Sequence, residues 1–227
     1  MPNWVSNHVQ CANTDALSRL RDFSLIIPEH PAIALLPGLA AQHAAQLYQQ
    51  GKSWRAVATD PAFVASLDQE QKDTPTKHRL TPERAARRYL LYCKVHGCVD
   101  WYDWRCRYWG SKWNVCHYRH QGSEAWFETA LMHPYPVIAA LSRQFPDTRF
   151  CVSYADEDLG NDTGAYDMRN GELLCGGELD NGSREAYELA FSHWGGEEDY
   201  KLVDDTYYCR VNAEETDDDT GTPSPVV

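Results

Sequence analysis

Four of the chain's eight tryptophans stand within thirteen residues, Trp101-Tyr102-Asp103-Trp104-Arg105-Cys106-Arg107-Tyr108-Trp109-Gly110-Ser111-Lys112-Trp113. An indole ring buries roughly 150–250 Å² and needs a partner for its N–H. Such density marks either the centre of a core or an adhesive surface. We expect core first, with Trp104 and Trp109 buried.

The segments around this block alternate between strand and helix patterns. Residues 3–11 alternate as a strand, with Trp4, Ser6 and His8 on one side and Val5, Asn7, Val9 and Cys11 on the other. Thr14 is placed to cap a helix to about Phe23. Residues 32–96 read as helical: one helix stopped by Gly51, a second capped by Ser53, a third opened by Asp60-Pro61 and a fourth by Thr81-Pro82. Residues 68–78 read as loop. Beyond the tryptophans, residues 112–118 and 125–131 read as strands, Pro136 opens a helix that Pro146 closes, and residues 149–154 form a further strand. Asn170-Gly171 signals a type I′ hairpin. Ser183 caps a last helix, residues 201–211 suggest a last strand, and the acidic tail from about 212 is expected to be disordered.

Charge is distributed unevenly. The net −12 is the sum of +4 over residues 1–150 and −16 over residues 151–227. An acidic half of this strength either neutralises the basic stretch at 77–119 or faces a basic partner. No window reaches the ~18 apolar residues of a membrane helix. The opening residues Met1-Pro2-Asn3-Trp4-Val5-Ser6 lack the basic and apolar runs of an export signal, so a cytoplasmic location with reduced thiols is expected.

Strand, helix, insertion, two strands, helix, strand is the β-α-β-β-α-β order of ferredoxin-like domains. The residues also resemble the YubB-type, Api-like proteins: Met1-Pro2-Asn3-Trp4 with Asn7, Asp100-Trp101-Tyr102-Asp103-Trp104 through Trp109-Gly110-Ser111-Lys112-Trp113-Asn114, then Phe127–Ala130, Pro134–Phe145 and Glu185–Trp194. The chain departs where a Trp-Ser pair follows in that family; it has Leu131-Met132. The resemblance implies a ferredoxin-like domain in a protein of bacterial plasmids and phages, and carries no catalytic residues over.

Other chemistries leave weaker traces. Cys93, His96, Cys98, Cys116, His117 and His120 are soft ligands, but their spacing does not form paired zinc knuckles, so no metal and no other cofactor is expected. Neither a Gly-x-Ser-x-Gly elbow, a P-loop nor a dinucleotide glycine pattern occurs, so the chain is read as non-enzymatic, with an enzyme of unrecognised site as the last alternative. Residues 47–58 resemble the entry to a helix-turn-helix, yet the helix that follows, residues 60–68, has no Arg or Lys. Trp101, Arg105, Arg107 and Lys112 are the residue types that stack on and neutralise single-stranded nucleic acid. Tryptophans in a core, with the arginines paired to acids of the C-terminal half, is the preferred alternative.

The resulting expectation is an α+β protein: a ferredoxin-like domain from residues 1–27 and 97–196, a helical insertion at 28–96 and an acidic extension at 197–227. Its expected role is to bind a host protein with a basic groove as a counter-defence inhibitor or nucleic-acid mimic. Asp156, Glu157, Asp158, Asp162, Glu197, Glu198 and Asp199 are the expected contact residues. The alternative is nucleic-acid binding through the Trp/Arg block or the insertion.

Overall fold

The computed structural model describes residues 3–29, 38–98, 100–203 and 205–211. Strand β1 (Trp4–Gln10) leads through α1 (Thr14–Arg19) into the helical insertion. The insertion holds α2 (Gly38–Gln49), α3 (Trp54–Ala58), α4 (Pro61–Glu70) and α5 (Pro82–His96), and α6 (Trp101–Tyr108) follows it. The chain then returns to the sheet with β2 (Cys116–Gln121), β3 (Glu124–Ala130), α7 (Tyr135–Gln144) and β4 (Phe150–Asp156). These four strands lie antiparallel in the order β2-β3-β1-β4, which is the ferredoxin-like arrangement.

Two further strands, β5 (Gly164–Arg169) and β6 (Glu172–Glu178), continue the same sheet beyond β4. The hairpin between them turns at Asn170 (φ +51°) and Gly171 (φ +76°), the paired left-handed residues of a type I′ turn. Helix α8 (Arg184–Trp194) then packs on β4, and β7 (Tyr200–Val203) pairs with β8 (Tyr207–Arg210) in a separate hairpin.

Local chemistry sets the helix ends. The carboxylate of Asp60 accepts from the Ala62 and Phe63 amides at 3.0 Å, with Pro61 in the first turn of α4, where its missing N–H costs nothing. Thr81 and Ser183 cap α5 and α8 in the same way, and Gly97 (φ +65°) ends α5 in the left-handed conformation.

Residues Val9, Ala125, Phe127, Phe150, Val152, Tyr166 and Met168 form the inner face of the sheet. They meet Leu17 of α1, Leu20 just after it, and Val137, Ile138 and Leu141 of α7. The same cluster runs on into the insertion through Phe63, Tyr89 and the tryptophan block. Trp104 and Trp109 are buried, with ring centroids 5.7 Å apart at 76°. Trp109 meets Phe23 edge-on and donates from Nε1 to the Ile27 carbonyl at 3.0 Å. The block therefore joins insertion to sheet, with both polar and apolar needs of the Trp109 ring met.

Several boundaries differ from the sequence reading. Asn13, not Thr14, caps α1, which ends at Arg19; a separate 3₁₀ turn spans Phe23–Leu25. Helix α4 runs on to Glu70, inside the expected loop, and a 3₁₀ turn follows at Thr76–His78. Residues 112–115 precede rather than form β2, because Asn114 turns inward to cap Phe23 and bind Asp22. Residues 200–210 form two short strands instead of one, folded at the turn before Thr206. The acidic tail from 212 lies outside the described residues.

Candidate functional site

The outer face of the sheet is polar, and alternation puts it there. Val5, Asn7 and Val9 point inward, so Ser6 and His8 point outward. Register sets His8 opposite Trp126 of β3 and Ser153 of β4. The His8 and Trp126 rings stack at 3.6 Å and 6°, and Trp126 meets His193 of α8 edge-on at 5.8 Å. The His193 imidazole bridges two hydroxyls, Nδ1 to Ser6 Oγ and Nε2 to Ser153 Oγ, both at 3.0 Å. Trp194 locks the end of α8 by donating to the Ala155 carbonyl at 2.9 Å.

Desolvation first, then the neighbouring His8, pushes the His193 pKa down to about 4. Desolvation also lowers His8, against the opposing pull of Glu124. Both rings are therefore neutral at physiological pH. A neutral imidazole between two hydroxyls resembles a nucleophile–base pair, but its second contact is another serine and not an orienting carboxylate. Beside it lies a groove of about 930 Å³ lined by Arg119, Glu124, Trp126, Glu128, His193 and Trp194. Toward the β6 edge, a smaller groove of about 300 Å³ is floored by Cys151, Asp167 and Cys175. The Cys175 thiol donates to Asp167 at 3.3 Å, and Arg149 pairs with the same carboxylate.

The inner face holds one polar network. The Asn7 amide donates to the Val5 carbonyl (2.9 Å) and Thr129 Oγ1 (3.0 Å), which leaves its oxygen to accept from His133 Nδ1 at 2.7 Å. That fixes the proton on Nδ1, so the neutral ring accepts at Nε2 from the Tyr166 hydroxyl, also 2.7 Å away. Tyr154 stacks on the His133 ring at 4.1 Å, and desolvation holds His133 down to about 3. At the adjoining turn Leu131 adopts φ +79°, unusual for a branched side chain, with its amide donating to the Asn3 carbonyl at 2.9 Å. This is where the sequence departs from the family it resembles.

The acidic residues named from sequence divide into two sets. Glu157, Asp158 and Asp162 are exposed in the β4–β5 loop. Glu197, Glu198 and Asp199 form an exposed 3₁₀ turn after α8. Gly196 lies against Leu159, so loop and turn share one end of the molecule. Asp156 is a correction: only 2% exposed, it is the last residue of β4 and not a solvated loop residue. Its Oδ1 accepts from Asn3 (3.3 Å) and from the Asp158 amide (2.7 Å). Burial, then the nearby acids Asp162, Asp158 and Glu157, raise its pKa against the Asp158 hydrogen bond.

The Trp/Arg block is engaged internally. Arg105 makes a two-pronged bond to Glu29 at 2.9 Å and lies over the Trp101 and Trp109 rings, each at 5.1 Å. Its acidic partner thus comes from the N-terminal side, not from the C-terminal half. Arg107 donates to the Gly97 carbonyl at 2.8 Å, and Lys112 sits 5.1 Å over Trp113. In the insertion, Arg55 and Arg87 both cover Trp54, at 4.6 and 3.8 Å, and α3 is a five-residue helix. Cys93 and Cys98 are buried, at and just beyond the end of α5, whereas His117 and His120 are exposed on β2 with Cys116 partly buried beside them. Among the described residues, no three His, Cys, Asp or Glu side chains assemble into a metal-holding group.

Sequence reasoning passed over Ser6, His8, Trp126, His133, Ser153 and His193. The outward set Trp4, Ser6 and His8 was visible as alternation. The register that brings Trp126, Ser153 and His193 to it was not.

No helix among the described residues is long and apolar enough to cross a membrane. No curated protein matches the chain. A crystal structure of a protein api92 from Yersinia pseudotuberculosis aligns with 79% of this chain and 99% of its own, at 10% identity and a TM-score of 0.37. From Trp109 to residue 204, the chain is similar to a family described as the ferredoxin-like domain in Api92-like protein.

Proposed function

We propose that this chain is a plasmid- or phage-encoded protein without enzymatic activity that binds a host protein in the bacterial cytoplasm through its acidic end. In this reading it is a counter-defence inhibitor or nucleic-acid mimic of the YubB type. The carrying observation is the placement of Glu157, Asp158 and Asp162 beside Glu197, Glu198 and Asp199, all exposed, around the Leu159–Gly196 contact. Rows of fixed carboxylates attract a surface shaped for phosphates and speed encounter with it. The internal engagement of Arg105 favours this reading over nucleic-acid binding by the tryptophan block.

The test is a pair of charge-reversed variants of the full chain. One carries Lys at Glu157, Asp158, Asp162, Glu197, Glu198 and Asp199; the control carries Lys at Asp68, Asp73 and Glu83 of the insertion. The parent and the control should capture the same host protein from a bacterial lysate, and the first variant should lose it. Equal capture by all three overturns the proposal.

A further inference from the structure

The larger groove on the outer face runs into the acidic end. Its floor is the outward row of β3, Glu124, Trp126 and Glu128, with each carboxylate residue about 7 Å along the strand from the tryptophan. Glu128 lies in register with Ser6, and Ser6 with Ala155, the residue before Asp156 and the exposed Glu157 and Asp158. Trp194 ties the end of α8 to the same Ala155 carbonyl, and the acidic turn Glu197–Asp199 follows directly after Gly195-Gly196. Groove and acidic end are therefore one continuous surface.

His8 covers one face of the Trp126 ring and lines the smaller groove, so the second face of the ring is turned to the larger one. The flanking carboxylates are held in place: Glu124 accepts from Gln10 Nε2 at 2.9 Å, and Glu128 lies 2.6 Å from His117 Nδ1. A carboxylate has about four lone-pair sites, so both keep acceptors for a ligand. The last turn of α8, the negative end of its dipole, forms one wall. An aromatic face between two carboxylates and a helix C-terminus suits a planar cation and repels a phosphate.

We propose, on the reading that the acidic end binds a basic protein, that the groove takes an arginine side chain of that partner, its guanidinium stacked on the free face of Trp126 between Glu124 and Glu128. Arginine fits better than lysine. Its guanidinium is planar and weakly hydrated, so it stacks on an indole while its N–H fork meets a carboxylate edge-on, whereas an ammonium is a strongly hydrated point charge. A groove of about 930 Å³ has room for the peptide on either side of that residue as well. Arg119, exposed and in register with Trp126 on β2, is a donor for the carbonyls of that peptide rather than for its cation. The acidic end supplies long-range attraction, and the groove supplies the choice of side chain.

Titrating labelled deca-arginine and deca-lysine peptides, equal in charge and length, with the full chain at one salt concentration tests this. The parent should bind the arginine peptide at least about fivefold more tightly. Trp126→Leu should lose most of that preference while its affinity for deca-lysine stays close to the parent's. Glu124→Gln combined with Glu128→Gln keeps the Trp126 ring and the side-chain volumes, and should lose the preference too. Asp68→Asn combined with Asp73→Asn removes the same charge from the insertion and should keep it. Circular dichroism checks that each variant is folded. Equal affinity of the parent for the two peptides, or a preference that survives in either folded groove variant, overturns the groove proposal and leaves the acidic end standing. A parent that binds neither peptide overturns both.

Discussion

The tryptophan block and the acidic residues show how differently two striking compositional features resolve at the level of single side chains. Trp104 and Trp109 are structural: their rings fill the junction of insertion and sheet, and the Trp109 N–H is satisfied by Ile27. Replacing Trp104 by Ala should cost about 3–5 kcal/mol, the usual range for a large aromatic lost from a core. Chemical denaturation checks this, and an unchanged midpoint would place the ring outside the core. Asp156 and Glu157 are neighbours in sequence with opposite roles. Asp156→Ala removes the buried carboxylate that accepts from the Asp158 amide and the Asn3 side chain, so it should destabilise by about 1–3 kcal/mol. Glu157→Ala, at an exposed position where the carboxylate accepts from the Trp4 amide at 3.1 Å, should cost less, about 0.5–1 kcal/mol in the same denaturation experiment. Composition marked both residues as acidic surface; only the strand boundary, two residues later than the sequence suggested, tells them apart.

Among the elements, those with local signals were legible and those defined by long-range pairing were not. Asp60-Pro61, Thr81-Pro82, Ser183 and Asn170-Gly171 each act within four residues, so α4, α5, α8 and the β5–β6 hairpin could be read directly. That this hairpin extends the ferredoxin-like sheet depends on Ser153 meeting Ala165 across strands, which no local pattern encodes. The outer-face site was missed for the same reason, since His193 reaches Ser6 from 187 residues away. Within β6, Gly176 has a strict requirement. A Cβ there would lie 2.2 Å from the Ala165 carbonyl oxygen, at φ +79°. Gly176→Ala should therefore lower the melting temperature, because both the backbone and the ladder to β5 must shift. A melting curve identical to the parent's would show that the edge is free to relax.

For the whole molecule, three neutral histidines inside or against the sheet link folding to pH. His133 and His193 have pKa values pushed down to about 3 and about 4, and His8 is lowered too, from an ordinary value near 6.5. Below about pH 6.5 the unfolded chain takes up protons that the native rings refuse, so stability from these groups is full above that pH and drains away as pH falls toward 4. The melting temperature should fall between pH 7 and pH 5, and less steeply in His193→Gln than in the parent. Identical slopes would mean that His193 titrates alike in both states.

The acidic end is the whole-molecule property on which the functional proposal rests, and fluorescence anisotropy of the labelled chain tests it most directly. The titrants are a deca-lysine peptide and a single-stranded oligonucleotide, each at rising salt. The proposal predicts peptide binding that weakens as salt screens the carboxylates over a Debye length of about 10 Å, and no oligonucleotide binding at physiological salt. Oligonucleotide binding there, lost on replacing Trp101, Arg105, Arg107 and Lys112 by Ala in a variant that stays folded, would contradict it and move the site to the tryptophan block.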